Sequence, residues 1–61
     1  MEQQKNQLLT VDELARYLKI SRPKAYQLVH QEGFPKIKLG KSIRIPMQAL
    51  DNWITAQYTI N

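Results

Sequence analysis

Four side chains within the six residues from Arg22 to Gln27 are of types that hydrogen-bond anions and base edges: Arg22, Lys24, Tyr26 and Gln27. A guanidinium or ammonium group donates to guanine or phosphate, a glutamine amide makes a two-point contact with adenine, and a phenol donates to a phosphate oxygen. Ser21 and His30 flank the group and Pro23 lies inside it. A second basic set follows in FPKIKLGKSIRIP, residues 34–46, with Lys36, Lys38, Lys41, Ser42 and Arg44. Neither SRPKAYQLVH nor this second stretch contains a carboxylate. The chemistry these residues support is recognition of a polyanion.

Other chemistries find little material. There is no cysteine, which removes disulfides and thiolate metal sites, and His30 is the single histidine, with no carboxylates placed near it for a metal set. Asp12 and Glu13 are adjacent, but Glu13 serves as a helix-cap partner and Asp12 as an anion at a helix N-terminus, so no acid-base pair remains. Gly40 is a lone glycine before a strand, not a phosphate loop. The expectation is a non-enzyme with no metal, no cofactor and no small-molecule ligand.

Charge agrees with this reading. Lys and Arg number 9 against 5 Asp and Glu, for a net charge of +4. Residues 16–44 hold eight of the bases and one acid, Glu32. The imbalance favours nucleic acid as partner. No apolar run exceeds two residues, so no membrane span or secretory segment is expected, and a cytoplasmic location follows. A chain of 61 residues makes one domain. Folding at that size buries only about 60% of the surface exposed in the unfolded chain.

The elements that position the basic side chains are legible from periodicity and caps. Residues 1–7, MEQQKNQ, form a polar, frayed tail, and residues 8–58 the domain. In LLTVDELARYL, Thr10 is an N-cap, Glu13 closes a capping box and Leu9 is placed to staple onto Leu14. A helix over about Val11–Leu18 follows, with Val11, Leu14, Ala15 and Leu18 on its inner stripe. A second helix runs to about Glu32, begun either by Ser21 as N-cap or at Pro23, with Gly33 just past its end. Its buried sector holds Ala25, Leu28 and Val29, which turns Pro23, Gln27 and His30 outward, flanked by Lys24 and Gln31 on one side and Arg22 and Tyr26 on the other.

A hairpin over about Lys36–Ile45 comes next. With a two-residue loop, Gly40-Lys41, each apolar position faces a polar one. With a three-residue loop, Gly40-Lys41-Ser42, Leu39 meets Ile43 and Ile37 meets Ile45, and all four pack on the helices. That register is the expectation, and it sets Lys38 across from Arg44 at a cost of about 0.2–1 kcal/mol. MQALDNWITAQY forms a third helix, while Phe34 and Trp53 supply core bulk. The sum is an α+β fold in the order helix, turn, helix, hairpin, helix.

A second helix with such an outer face, in that order, is the element that enters a major groove. Phosphates would relieve the crowded hairpin charges, which makes the hairpin a wing; a competing reading has its lysines merely protect a sheet edge.

The segments LLTVDELARYLKISRPKAYQLV, GFPKIKLGKSIRIP and ALDNWI resemble the excisionase-family and AlpA-like DNA-binding domains related to the MerR winged helices, across residues 8–54. The resemblance implies a small winged helix-turn-helix whose second helix lies in the major groove and whose wing reaches the adjacent backbone or minor groove. By position, Ser21, Arg22, Lys24, Tyr26 and Gln27 correspond to helix contacts, and Lys38, Lys41, Ser42 and Arg44 to wing contacts. Pro23 and Lys24 depart from the family's usual small polar or basic residue and threonine, so base preference does not carry over there.

Members of that family either direct recombination or regulate prophage and element genes. The resemblance therefore implies an excisionase that binds and bends double-stranded DNA at a mobile-element end, with a tyrosine-type integrase and neighbouring copies of itself as partners. The alternative is an AlpA/MerR-like transcriptional regulator. A chain with no effector domain suits the excisionase role, and Ala56–Asn61 is either a partner-contact segment or a frayed end. A basic module that docks on an acidic protein is the competing class, separable by its shallower salt dependence.

Overall fold

Thr10 starts the first helix as its spacing to Glu13 predicts. Its hydroxyl accepts from the Glu13 backbone N–H at 3.1 Å, and the Glu13 carboxylate accepts from the Thr10 N–H at 2.9 Å. This reciprocal cap satisfies two of the donors a helix start leaves open. In the computed structural model, which describes residues 7–58, the elements run β1 (Leu8–Leu9), α1 (Val11–Leu18), α2 (Arg22–Val29), β2 (Ile37–Leu39), β3 (Ser42–Pro46) and α3 (Met47–Tyr58). Of the expected N-terminal tail, residues 1–6 lie outside the described residues, as do residues 59–61 of the C-terminal segment.

The expected bounds of α1 and α3 hold. Strand β1 is an addition to the expected elements: Leu8 and Leu9 pair with Pro46 and Ile45 of β3, giving a three-stranded antiparallel sheet in the order β1-β3-β2. Pro46 has no N–H to offer, and the next donor, Met47 N–H, reaches the Gln7 carbonyl at 2.9 Å instead. The chain leaves α1 through Lys19, whose φ of 57° is the only positive value at a non-glycine among the described residues. The Ile20 N–H closes that turn onto the Ala15 carbonyl at 3.0 Å.

Helix α2 begins at Arg22 with Ser21 as N-cap, which resolves the two expected starts. It ends at Val29, three residues before the expected Glu32. Val29 is its last buried residue, and past it the exposed Gln31 and Glu32 have no packing to hold a further turn. Tighter bonds from Gln31 N–H to Leu28 and from Phe34 N–H to Gln31 carry the chain on. Gly33, at φ +87°, takes the left-handed conformation that swings Phe34 inward.

One core serves every element but β2: Leu9, Val11, Leu14, Ala15, Ala25, Val29, Phe34, Ile45 and Leu50 are buried, with Leu18, Leu28, Ile43 and Trp53 among those packed against it. Phe34 and Trp53 meet edge to face, ring centroids 5.0 Å apart, as core aromatics should. At the outer edge, the Tyr17 hydroxyl donates to the Asp51 carboxylate at 3.0 Å and ties α1 to α3. That bond, with lesser help from desolvation and the carboxylate charge, raises the Tyr17 pKa. A raised folded-state pKa makes the tie fully present below the ordinary phenol value of about 10, and it fades as pH climbs through the raised one.

The hairpin register differs from the expectation. Ile37 lies opposite Arg44, Lys38 opposite Ile43 and Leu39 opposite Ser42, so the loop is the two residues Gly40-Lys41. Opposed residues share a sheet face. Ile43 and Ile45 therefore turn inward with Leu9, while Ile37 and Leu39 stay 38% and 54% exposed on the outer face beside Ser42 and Arg44. The expected Lys38/Arg44 cross-strand pair is not formed, and the strain ascribed to it does not exist.

Turn chemistry explains the outcome. A three-residue loop with a bulge wants a left-handed third residue, and here that would be Ser42; a glycine with positive φ at the first loop position fits a two-residue type II′ turn, and Gly40 has φ +65°. Strand β2 is a short edge with no helix to cover it, so matching its apolar residues to those of β3 stabilises little.

The register has a direct test in thermal or urea melts of the free protein. Ile45→Ala, which empties a fully buried site, should cost about 2–5 kcal/mol. Leu39→Gln should stay within about 0.5 kcal/mol of the parent. Comparable losses at the two positions would restore the three-residue loop.

Candidate nucleic-acid interface

Two elements converge beside the start of α1. Arg22 and Tyr26 on α2, Lys41, Ser42, Ile43 and Arg44 on the hairpin, and Thr10, Val11 and Asp12 at the start of α1 line an open cleft of about 310 Å³. The local reasons are simple. Ser21 caps α2 by accepting from the Lys24 N–H at 3.3 Å, which fixes the first turn and places Arg22 at its first position. Four residues on, Tyr26 lies above Arg22 on the same face. On the other wall, Ile43 and Ile45 anchor β3 to the core and hold its loop end, Lys41 and Ser42, against that face.

The structure thus brings five of the sequence-derived candidates around one cleft: Arg22, Tyr26, Lys41, Ser42 and Arg44. Lys24 and Gln27 lie apart from them, on the opposite flank of α2, in a shallow depression they share with Leu18, Ile20, Leu28 and Gln31. Pro23 and His30 are exposed on the ridge between. Ser21 is exposed, and with its oxygen accepting in the cap, its O–H remains able to donate. His30 sits just past the helix, its Nδ1 at 2.8 Å from the Tyr26 carbonyl. A carbonyl only accepts, so Nδ1 carries the proton and Nε2 is turned to other partners.

On the hairpin, Lys38 and Lys41 are exposed and Lys36 is half-buried. Arg44 is half-buried too, its Nη1 donating to the Ile43 carbonyl at 2.9 Å. Sequence reading misses the role of Asp12. Its carboxylate meets the Arg22 guanidinium at 2.9 Å and is the one acid lining the cleft. Nine residues, the turn among them, separate the two, so no spacing rule could pair them.

A helix-turn-helix followed by a hairpin wing is the class of protein that this fold and cleft define. The model of the helix-turn-helix domain family matches residues 8–58, and the chain belongs to that family, the excisionase- and AlpA-like helix-turn-helix domains that bind DNA. Two relatives, from the CDC 1551 and H37Rv strains of Mycobacterium tuberculosis, bear the name of a DNA-binding protein; each is 35% identical over 57 residues, spanning 93% of this chain and 73% of the relative. A protein of Saccharopolyspora erythraea named as an excisionase is 39% identical over 46 residues, which span 75% of this chain and 47% of that one. No solved structure gives a significant match. Among the described residues no helix is long and apolar enough to cross a membrane.

Capping and contact at Ser21 are separable. In the free protein, Ser21→Ala should cost about 1 kcal/mol through loss of the cap, and Ser21→Gly only a few tenths. Chemical denaturation of both variants checks this; equal and negligible losses would show that the cap contributes nothing to α2.

Proposed function

We propose that this chain reads double-stranded DNA by sequence and acts as an excisionase, binding and bending the end of a mobile element so that a tyrosine-type integrase can remove it. The observation that carries the DNA-reading part is the cleft itself, where one face of α2 and the adjoining part of the hairpin present Arg22, Tyr26, Lys41, Ser42 and Arg44 together. In this reading α2 enters the major groove. Lys24 and Gln27 reach base edges from one flank, Arg22 and Tyr26 work from the other, and Ser21 and His30 meet the backbone at the two ends of the helix. Lys41, Ser42 and Arg44 take the phosphates beyond the groove, with Lys36 and Lys38 adding charge.

The excisionase part rests on the likeness to the Saccharopolyspora protein of that name. An architectural role suits a small basic winged domain, because bending needs a DNA surface and contact with neighbours more than it needs a ligand-sensing domain. Regulation of element genes is the second reading, favoured by the two mycobacterial relatives whose names give DNA binding alone. Bending assays on DNA flanking the encoding gene, followed by excision assays with an integrase encoded beside it, separate the two. Straight DNA and unaffected excision leave the regulator.

The helix and the wing should fail differently. Gln27→Ala and Lys24→Ala should weaken the selected site by about 1–3 kcal/mol for each true base contact while sparing scrambled duplex. Replacing Lys41 and Arg44 by Gln should weaken every duplex and flatten the salt dependence by about 0.9 for each phosphate the wing no longer neutralises. Fluorescence anisotropy across a salt series reads both. An unchanged salt slope in the double variant would remove the wing from the interface.

A further inference from the structure

The one carboxylate in the cleft is the feature that a simple basic groove does not need. Asp12 Oδ1 meets Arg22 Nε at 2.9 Å, and the two side chains remain 54% and 67% exposed. A pair so exposed adds little to folding, because solvent screens it and two side chains must be held still. It also carries an apparent cost for function, since an acid among Arg22, Lys41 and Arg44 repels the phosphates those bases attract.

We infer that Asp12 is a positioning residue for Arg22: it occupies Nε, fixes the plane of the guanidinium at the first position of α2, and leaves the Nη1 and Nη2 hydrogens aimed outward for a guanine edge. Arginine has five N–H donors, and the pairing at Nε consumes one of them. The two Nη groups retain the forked geometry that matches O6 and N7 of guanine. Holding the fork in place before binding removes rotamer entropy that would otherwise be lost on contact. Both ends of the device are themselves fixed, Asp12 by the Thr10 capping box of α1 and Arg22 by the Ser21 cap of α2. The negative charge adds selectivity of a second kind. It makes Arg22 a weaker partner for any passing phosphate, so that non-specific binding gains less from it than a correctly placed guanine does.

This inference rests on the DNA-reading function proposed above, and the experiment keeps the two apart. The wild-type chain is used to select duplexes from a random pool. Binding to the selected site is then compared with the same site carrying single guanine-to-adenine changes, for wild type, Asp12→Asn, Arg22→Ala and the double variant. At one guanine the wild type should discriminate by about five- to a hundredfold. Asp12→Asn should shrink that ratio by about threefold or more, through weaker binding to guanine or tighter binding to its replacement, and should do nothing further once Arg22 is Ala. Thermal melts of Asp12→Asn should show only the small loss expected when an anion is removed from the α1 N-terminus, and the same loss with Arg22 replaced by Ala, which separates it from the effect on guanine discrimination. Failure of the wild type to enrich any sequence would sink the DNA-reading function and the inference with it. Enrichment with a guanine preference that survives Asp12→Asn, or Asp12 and Arg22 effects that simply add, would overturn the inference and leave DNA reading intact. The inference fails equally if Asp12→Asn tightens selected and scrambled duplexes to the same degree, for then the carboxylate is only a repelling charge.

Discussion

Ile45 is the side chain on which the arrangement turns. It is fully buried, it sits on the central strand of the sheet, and it lies opposite Leu9 of β1. Because side chains alternate along a strand, burying Ile45 decides the orientation of every residue of β3: Ile43 goes in with it, and Ser42 and Arg44 go out. The same strand hands directly into α3 at Met47, and its β1 partner leads through Thr10 into α1. Two helices and the wing are thus referenced directly to one apolar anchor, and α2 follows through its packing on α1. With so small a core, no second cluster could hold the wing in a different register if that anchor were lost.

The wing illustrates what such an anchor leaves free. Strand β2 pairs with β3 along one side only, and every residue of it is exposed. Its register is set at the turn, by the conformational freedom of Gly40, and not by burial of Ile37 and Leu39. No helix covers β2, while β3 packs on the core and keeps the exposed Lys41 and Ser42 beside Arg22 and Tyr26 of α2. A surface that α2 touches is therefore within reach of the hairpin tip as well.

The sequence reveals the fold through signals that act over short distances. Thr10 with Glu13 marks the start of α1, Ser21 with Pro23 marks α2, and the apolar spacing from Leu50 to Tyr58 marks α3, because caps and helical periodicity are properties of neighbouring residues. The two-residue strand β1 is hidden, since its pairing with Ile45 and Pro46 joins segments far apart in the chain. Leu9 reads as a staple for α1, and its burial satisfies that role and the strand role at once. The hairpin register departs from expectation for a different reason. Apolar matching across the strands favours the longer loop, but Gly40 stands first in the loop, where a II′ turn places its glycine, and Ser42 stands where the bulged loop would want one. Of the candidate site, the helix face and the hairpin tip are visible as composition; their convergence, and the place of Asp12 between them, are tertiary.

Basic surfaces on small proteins also raise the question of where the acids go. Here Glu13 is spent on the α1 cap, Asp51 accepts from Tyr17 on the side where α1 meets α3, and Asp12 holds Arg22. Each of these carboxylates has one specific partner, and two of the three lie away from the cleft. Acids placed this way support the scaffold without neutralising the face formed by α2 and the hairpin. The cleft is therefore lined by Arg22, Lys41 and Arg44 with Asp12 as the one acid among them. Asp12 is the exception: it lies inside the cleft, and there its carboxylate holds the guanidinium of Arg22, the single arginine of α2, in one place.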